Sequence, residues 1–220
     1  MRCLGAIFIA VVLLFGCAER GAKLPQLLAV SAESAPPECT DIFPSRGWQF
    51  IHSIEFSLDH GYGTTVVGVT SLEPRRIRCA LVSLEGFTLF EAGFDRGTGL
   101  HVQRAVPPFD TPLFAEGLME DIRAIFLSPA GAMQRGQSSE GKKICRFITA
   151  AGTVTDIIAA DGGCPQIRSY SQDGRLRRLI TGSGCQKSGP GRIPHYLELR
   201  SYGGSGYTLK MNLLRADRIS

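Results

Sequence analysis

The sequence predicts a mainly β fold of the α+β class, a curved antiparallel sheet with one helix laid across its apolar face. Three observations carry this. Trp48 to Leu58 alternates apolar and polar residues with a period of two. A series of short β-rich runs separated by turn residues follows it. One segment only, from Pro112 to Leu127, changes to helical spacing.

In the first run Trp48, Phe50, Ile54, Phe56 and Leu58 alternate with Gln49, Ser53, Glu55 and Ser57, the pattern of a strand with one buried face. Thr64 to Ser71, Arg76 to Ser83, Phe87 to Phe94 and Leu100 to Arg104 continue it, divided by Glu73-Pro74, Glu85-Gly86 and Asp95 to Gly99. Tight turns between successive strands make an antiparallel meander. Thr111 then supplies an N-cap and Pro112 the first helical position, and Leu118, Ile122, Ile125 and Phe126 recur at helical spacing until Ser128-Pro129, so both helix ends are marked. Leu113, Phe114, Met119 and Leu127 widen the stripe, which suits a helix covering a broad apolar surface. Ala130 to Gly141 reads as a loop of small and polar residues, leading to strands at Ile144 to Ala150 and Leu176 to Thr181. A closing hairpin spans His195 to Tyr202 and Tyr207 to Leu213, turning at Gly203 to Gly206, with Tyr207, Leu209, Met211 and Leu213 on one face.

The start of the chain has a different character. Arg2, an apolar run from Leu4 to Phe15, and Gly16 directly before Cys17 have the layout of a secretory signal. About a dozen apolar residues are too few for a membrane span, which needs roughly 20. The expected organisation is therefore a signal peptide over 1–16, a lipidated tether over 17–46 and a single β domain over 47–220. The tether reading rests on its Ala, Ser and Pro content without steady period, including Ser34-Ala35-Pro36-Pro37. The roughly 200 residues after Gly16 fit one domain by size.

The charged fraction of 20% and net charge of +4 are ordinary, and the basic residues are scattered, which with export argues against nucleic acid. Of the seven cysteines, removal of the leader and lipidation of Cys17 leave Cys39, Cys79, Cys145, Cys164 and Cys185, an odd set. Cys164 and Cys185 are the disulfide candidate, closing a Gly-rich segment of about 20 residues for about 3 kcal/mol. Cys79 and Cys145 sit in apolar strand patterns and read as small buried hydrophobes. Without CxxC or a Cys/His cluster no metal is expected, and no cofactor is indicated.

Enzymatic signatures are also missing. His52, His60, His101 and His195 stand apart from one another, and Gly182-Ser183-Gly184-Cys185 lacks the nucleophile elbow. Gly61-Tyr62-Gly63 and Gly97-Thr98-Gly99 precede no helix that would hold a phosphate. The chain is read as a non-enzyme. Arg75, Arg76 and Arg78, and Arg175, Arg177 and Arg178, are either solvated turn charges or contacts for anionic head groups.

Two resemblances add to this reading. Leu14-Phe15-Gly16-Cys17 resembles the lipobox of bacterial lipoprotein precursors, with Phe15 departing from the small or β-branched residue usual there. It implies that Cys17 receives acyl chains such as palmitate, and Ala18 after it implies an outer-membrane address facing the periplasm. Ser83 to Asp95, Val102, Pro107-Pro108, the helix ending Ile125 to Pro129, and Gly206-Tyr207-Thr208-Leu209 in the closing hairpin resemble in their order the lipoprotein family termed domain of unknown function 3261. Its members are similar to LolB and LolA. The resemblance implies an incomplete β-barrel closed by helices around an apolar cavity that takes acyl chains. LolB's protruding membrane-inserting loop has no residue-by-residue counterpart here. The candidate cavity residues are Phe50, Phe56, Phe90 and Phe94 from the sheet with Ile122 and Phe126 from the helix, and they either enclose a pocket or pack solidly. The functional expectation is a lipid or acyl-chain carrier or acceptor anchored at the outer membrane. The alternative is a structural or assembly lipoprotein that binds another envelope protein.

Overall fold

A computed structural model describes residues 22–29, 42–44, 47–158, 163–188, 191–203 and 206–219. Its core element is β1 (Trp48–Leu58), paired along its length with β2 (Gly63–Leu72) on one side and β14 (Tyr207–Arg218) on the other. From β2 the chain meanders outward through β3 (Arg76–Val82), β4 (Thr88–Asp95) and β5 (Gly99–Ala105) to one edge. The helix α1 (Pro112–Phe126) then crosses to the opposite edge. There β6 (Ala132–Gln137), β7 (Lys143–Ile148), β8 (Val154–Ile158), β9 (Gln166–Tyr170) and β10 (Leu176–Ser183) lead back inward, and β13 (Tyr196–Ser201) joins β10 to β14. The result is a 12-stranded sheet, antiparallel at every pairing, with β5 and β6 as its edge strands. It is a curved open sheet and not a closed barrel, and among the described residues α1 is the element that links its two edges.

Register fixes which side chains meet the helix. Phe50 lies opposite Thr70, His52 opposite Gly68 and Ile54 opposite both Val66 and Met211, so these residues share the concave face. Ile77, Cys79 and Leu81 continue it on β3, with Phe90 and Ala92 on β4. The helix begins as expected: the Thr111 hydroxyl accepts the Phe114 amide at 3.2 Å, and Pro112 occupies the first turn. It buries Ala115, Met119, Ile122, Ile125 and Phe126 against the concave face, and Leu127 leaves it in an extended conformation ahead of Ser128-Pro129.

The sheet is larger than the alternation predicts. The stretch Ala130 to Gly141, expected as a loop, contains β6, whose Gln134, Arg135 and Gln137 carry no apolar period because an edge strand faces solvent on both sides. The short β8 and β9 are missed for another reason: Asp156 and Arg168 fall inside them and break the pattern. A separate hairpin of β11 (Gln186–Ser188) and β12 (Gly191–Ile193) hangs beside the sheet.

Residues 22–29, inside the span read as a tether, run along the convex face of β7 to β10. Leu176 donates its amide to Ala22 O at 3.0 Å, and Leu24 donates to Gly174 O at 2.7 Å. At the far end Leu28 and Gln137 exchange amide hydrogen bonds at 2.9 Å each. Leu24 packs on Val154, Tyr170 and Leu176. Beneath this strap Arg146 grips Asp156 through two bonds of 2.7 Å and donates a third to Pro25 O at 2.9 Å.

The disulfide between Cys164 and Cys185 is formed. Cys145 is not the free small hydrophobe expected: it is disulfide-bonded. Cys79 is the free, buried thiol among the described residues, and burial pushes its pKa up to about 11, so it stays protonated and apolar in character. Cys17 and Cys39 lie outside the described residues.

Candidate functional site

The space between α1 and the sheet is the site to which the predicted residues lead. Four of the six candidates meet there: Phe50, Phe90, Ile122 and Phe126 are all buried. Phe126 stacks on Phe50 with ring centres 5.0 Å apart, and Phe114 meets Phe90 edge-on at 5.2 Å, both favourable arrangements for aromatic rings. Phe94 is half-buried and lies under the guanidinium of Arg123, 3.7 Å from the ring centre. Phe56 stands apart at the end of β1, against Tyr207 at 5.8 Å.

In this closed arrangement the interior is nearly filled. A void of about 40 Å³ lies between Phe50, Phe126, Ile167 and Ile180, and a second of about 30 Å³ lies between Leu118, Ile122, Cys79 and Met211. Ligand pockets run to about 300–1,000 Å³, so neither void has the volume of one.

What holds α1 down is also polar. Asp121 points from the helix into the sheet at 3% exposure. Its Oδ1 lies 2.8 Å from the Arg178 Nη2 on β10, and its Oδ2 accepts the Tyr207 hydroxyl of β14 at 2.6 Å. Burial raises the Asp121 pKa above the usual carboxylate range, with Arg178 and Tyr207 opposing the shift. Burial beside Asp121 also raises the Tyr207 phenol. The pairing is incomplete, because Asp121 Oδ1 and Arg178 Nε have no well-aligned hydrogen-bond partner. Close by, His52 is buried against Phe50 and Phe126, at ring distances of 6.2 and 5.9 Å. Burial lowers its pKa to about 4, so at neutral pH it is an uncharged member of the aromatic cluster.

Sequence reasoning missed this joint. The sequence places Arg178 among basic turn residues, as a solvated charge or a contact for anionic head groups, and gives Asp121 no role. The signal was present: Asp121 lies three residues after Leu118 and four before Ile125, on the buried stripe itself. Tyr207 was assigned to the buried face but given no partner.

Beside the C-terminal half of α1 a groove of about 790 Å³ opens between the helix and β8 to β10. Ala124, Leu127 and Ile167 line it together with Thr155, Ser169 and Ser201, and Arg123, Arg177, Arg178 and Glu120 contribute to its walls. Among the described residues no group of three or more His, Cys, Asp or Glu is placed to hold a metal, and no helix is long and apolar enough to cross a membrane.

The fold is similar to that of solved structures. A LolA superfamily protein from Nitrosomonas europaea aligns over 87% of this chain and 94% of its own, with a TM-score of 0.54 at 12% identity. A putative outer membrane lipoprotein-sorting protein domain from Vibrio parahaemolyticus aligns over 80% and 87%, with a TM-score of 0.47 at 11% identity. A DUF1329 family protein from Desulfovibrio piger aligns over 79% and 86%, with a TM-score of 0.42 at 8% identity. No family model and no curated protein matches the sequence. The chain thus has a LolA-like fold, at identities that speak to fold alone.

Proposed function

We propose that this chain is a LolB-like lipoprotein of the outer membrane, related to domain of unknown function 3261, that receives a lipid or acyl chain beneath α1 without covalent chemistry. The observation that carries the reading is the continuous aromatic and aliphatic interior under a single helix whose only buried ionic attachment to the sheet, among the described residues, is the Asp121, Arg178 and Tyr207 joint. Apolar packing of the same volume is often as stable as a buried ion pair, so we read the joint as a fastening between helix and sheet and not as a source of core stability.

Anchoring on Cys17 fits the placement of the strap. Ala22 is bonded at the β9–β10 turn, and five residues of chain reach at most about 18 Å. By register this turn lies at the same end as the β1–β2 turn, the β3–β4 turn and the start of α1. That end carries Tyr62, Leu84, Phe87 and Leu113, at 56, 67, 69 and 81% exposure. An apolar rim beside a lipid tether suits contact with a bilayer, with the protein facing the periplasm.

The alternative, an assembly lipoprotein, is favoured by one feature: β5 is an unpaired edge with Val102 exposed, open to strand addition by a partner. Uptake of a fluorescent fatty acid and native mass spectrometry of the purified protein separate the readings. The carrier binds lipid, and Phe126→Ala alters that uptake while costing about 3–5 kcal/mol in the closed state, from lost burial and the cavity left behind. Absence of bound lipid and of uptake leaves the assembly role. The anchor is tested by labelled palmitate, whose incorporation Cys17→Ala abolishes.

A further inference from the structure

The groove beside α1 differs from the interior in both size and chemistry. The two interior voids hold about 40 and 30 Å³, whereas the groove holds about 790 Å³ in the closed state and needs no movement to admit a ligand. Its apolar surface comes from Ala124, Leu127 and Ile167, and Ile167 also lines the interior void against Phe50 and Phe126. Ile167 is therefore the side chain that stands between the groove and the interior.

Cations outnumber carboxylates on the walls of the groove, although Arg178 is paired with Asp121 and Glu120 and the Arg123 guanidinium lies over Phe94. Arg123, Arg177 and Arg178 line it against the single carboxylate Glu120. Glu120 is 68% exposed and 3.6 Å from Arg178. Arg177 is exposed and makes no ion pair among the described residues, while its guanidinium lies over Gly203, where an added Cβ would fall 2.8 Å from Nη1. Arg178 keeps Nε without a hydrogen-bond partner although that atom is shielded from solvent. A guanidinium matches carboxylate and phosphate geometry, and it is the exposed Arg177, not the enclosed Arg178 Nε, that an anionic oxygen in the groove meets directly. The hydroxyls of Thr155 and Ser169 add neutral donors on the same wall.

From this we infer that the groove is the seat of the anionic head of a single-chain amphiphile, with its apolar chain directed past Ile167 toward the interior under α1. The inference rests on the lipid-carrier reading and specifies its ligand: a carboxylate or phosphate head on an acyl chain, as distinct from a neutral or purely apolar cargo. The head lies at the end of the molecule where Ala22 is pinned, so a ligand leaving the membrane near the anchor meets the arginines first.

The test is binding of defined amphiphiles to the purified full-length protein by calorimetry and native mass spectrometry. Oleate and a lysophosphatidic acid of the same chain length are the anionic probes, monoolein is the neutral one, and inorganic phosphate is the head alone. The anionic amphiphiles are expected to bind at least tenfold more tightly than monoolein, and comparison of the two tells a carboxylate from a phosphate preference. Arg177→Gln should reduce that preference about five- to tenfold while leaving monoolein binding unchanged. Arg215→Gln, an equal loss of charge on a strand residue already paired with Asp217 at 2.6 Å, should change neither. Equal affinity for oleate, lysophosphatidic acid and monoolein, or a preference untouched by Arg177→Gln, overturns the inference and leaves the carrier reading intact. Failure of every amphiphile to bind defeats the carrier reading itself. Phosphate binding as tightly as the amphiphiles would show an anion site with no role for the chain.

Discussion

Two buried Arg–Asp pairs occupy opposite faces of the same sheet, and they are built differently. On the convex face Arg146 and Asp156 are cross-strand neighbours on β7 and β8, joined by two bonds of 2.7 Å with side chains 8% and 0% exposed. The strap closes over them, and Pro25 O takes a third bond. On the concave face Arg178 and Asp121 belong to β10 and α1, which share no backbone ladder. They make one contact of 2.8 Å at 17% and 4% exposure and leave Arg178 Nε and Asp121 Oδ1 without aligned partners. The first pair has bidentate geometry and bound neighbours, the conditions under which a buried ion pair offsets its desolvation. The second falls short of them at the junction of α1 with the sheet. The difference teaches that burial alone does not make a lock: the convex pair fixes strap to sheet through three bonds, and the concave pair joins helix to sheet through one contact.

The largest expected effect breaks the convex pair. Asp156→Ala leaves the Arg146 guanidinium buried without its counter-charge and should cost about 3–5 kcal/mol, read as a lower midpoint in chemical denaturation at unchanged m-value. Exchange of the amides at Leu24 and Leu28 should quicken in the same variant, since the strap loses the arginine that binds Pro25. A cost below about 1 kcal/mol would show that the pair is not the lock described.

These two pairs also mark the limit of what the sequence discloses. The meander β1 to β5, the helix and the closing hairpin were legible because Trp48, Phe50, Ile54 and their like alternate visibly, and because Thr111-Pro112 and Ser128-Pro129 punctuate the helix. Asp156 and Arg168 hide β8 and β9: the buried Asp156 looks solvated because its partner Arg146 lies on another strand, and the half-buried Arg168 bonds Gln166 within its own strand. Residues 22–29 gave no period because their partners are the β9–β10 turn and the β6 edge, contacts made by backbone atoms. The same holds for the site. Its aromatic residues were readable one by one, while the joint of Asp121, Arg178 and Tyr207 draws on three elements 86 residues apart at their widest hydrogen-bonded span. Only the fold brings them together.

The next effect concerns the concave face and pH. The His52 pKa is lowered by burial from 6.5 to about 4. Below pH 6.5 the unfolded chain takes up a proton that the folded state refuses, so stability is undiminished above that pH and falls as the solution is acidified. By pH 4 the loss from this group amounts to about 3 kcal/mol, at 1.36 kcal/mol per pKa unit. Asp121 acts in the opposite sense, because its raised pKa lets the folded state bind the proton first. The difference between the wild type and His52→Phe isolates the histidine: the two stability curves should run parallel above pH 6.5 and diverge by about 3 kcal/mol toward pH 4, the variant losing less. Curves that remain parallel throughout would mean that the imidazole is hydrated and the concave interior is wetter than its aromatic lining implies.

The smallest effect is the most informative about the helix. Asp121→Asn keeps the size of the side chain and the acceptor for the Tyr207 hydroxyl but removes the charge that faces Arg178. Because Arg178 is already 3.6 Å from the exposed Glu120, it has a second carboxylate to turn to and is not left stranded as Arg146 is in Asp156→Ala. The expected cost is about 1–2 kcal/mol, in the range of one charge-assisted hydrogen bond. It should be localised. Hydrogen exchange over α1 from Pro112 to Phe126 should accelerate, while β7 to β9 under the strap keep the protection of the wild type, since local opening need not pass through global unfolding. A variant as unstable as Asp156→Ala would make the two pairs equivalent locks and remove the ground for treating α1 as the mobile element. Unchanged exchange over α1 would place the restraint in the Phe50 and Phe126 stacking instead, and the joint would then be a buried pair with no part in closing the helix.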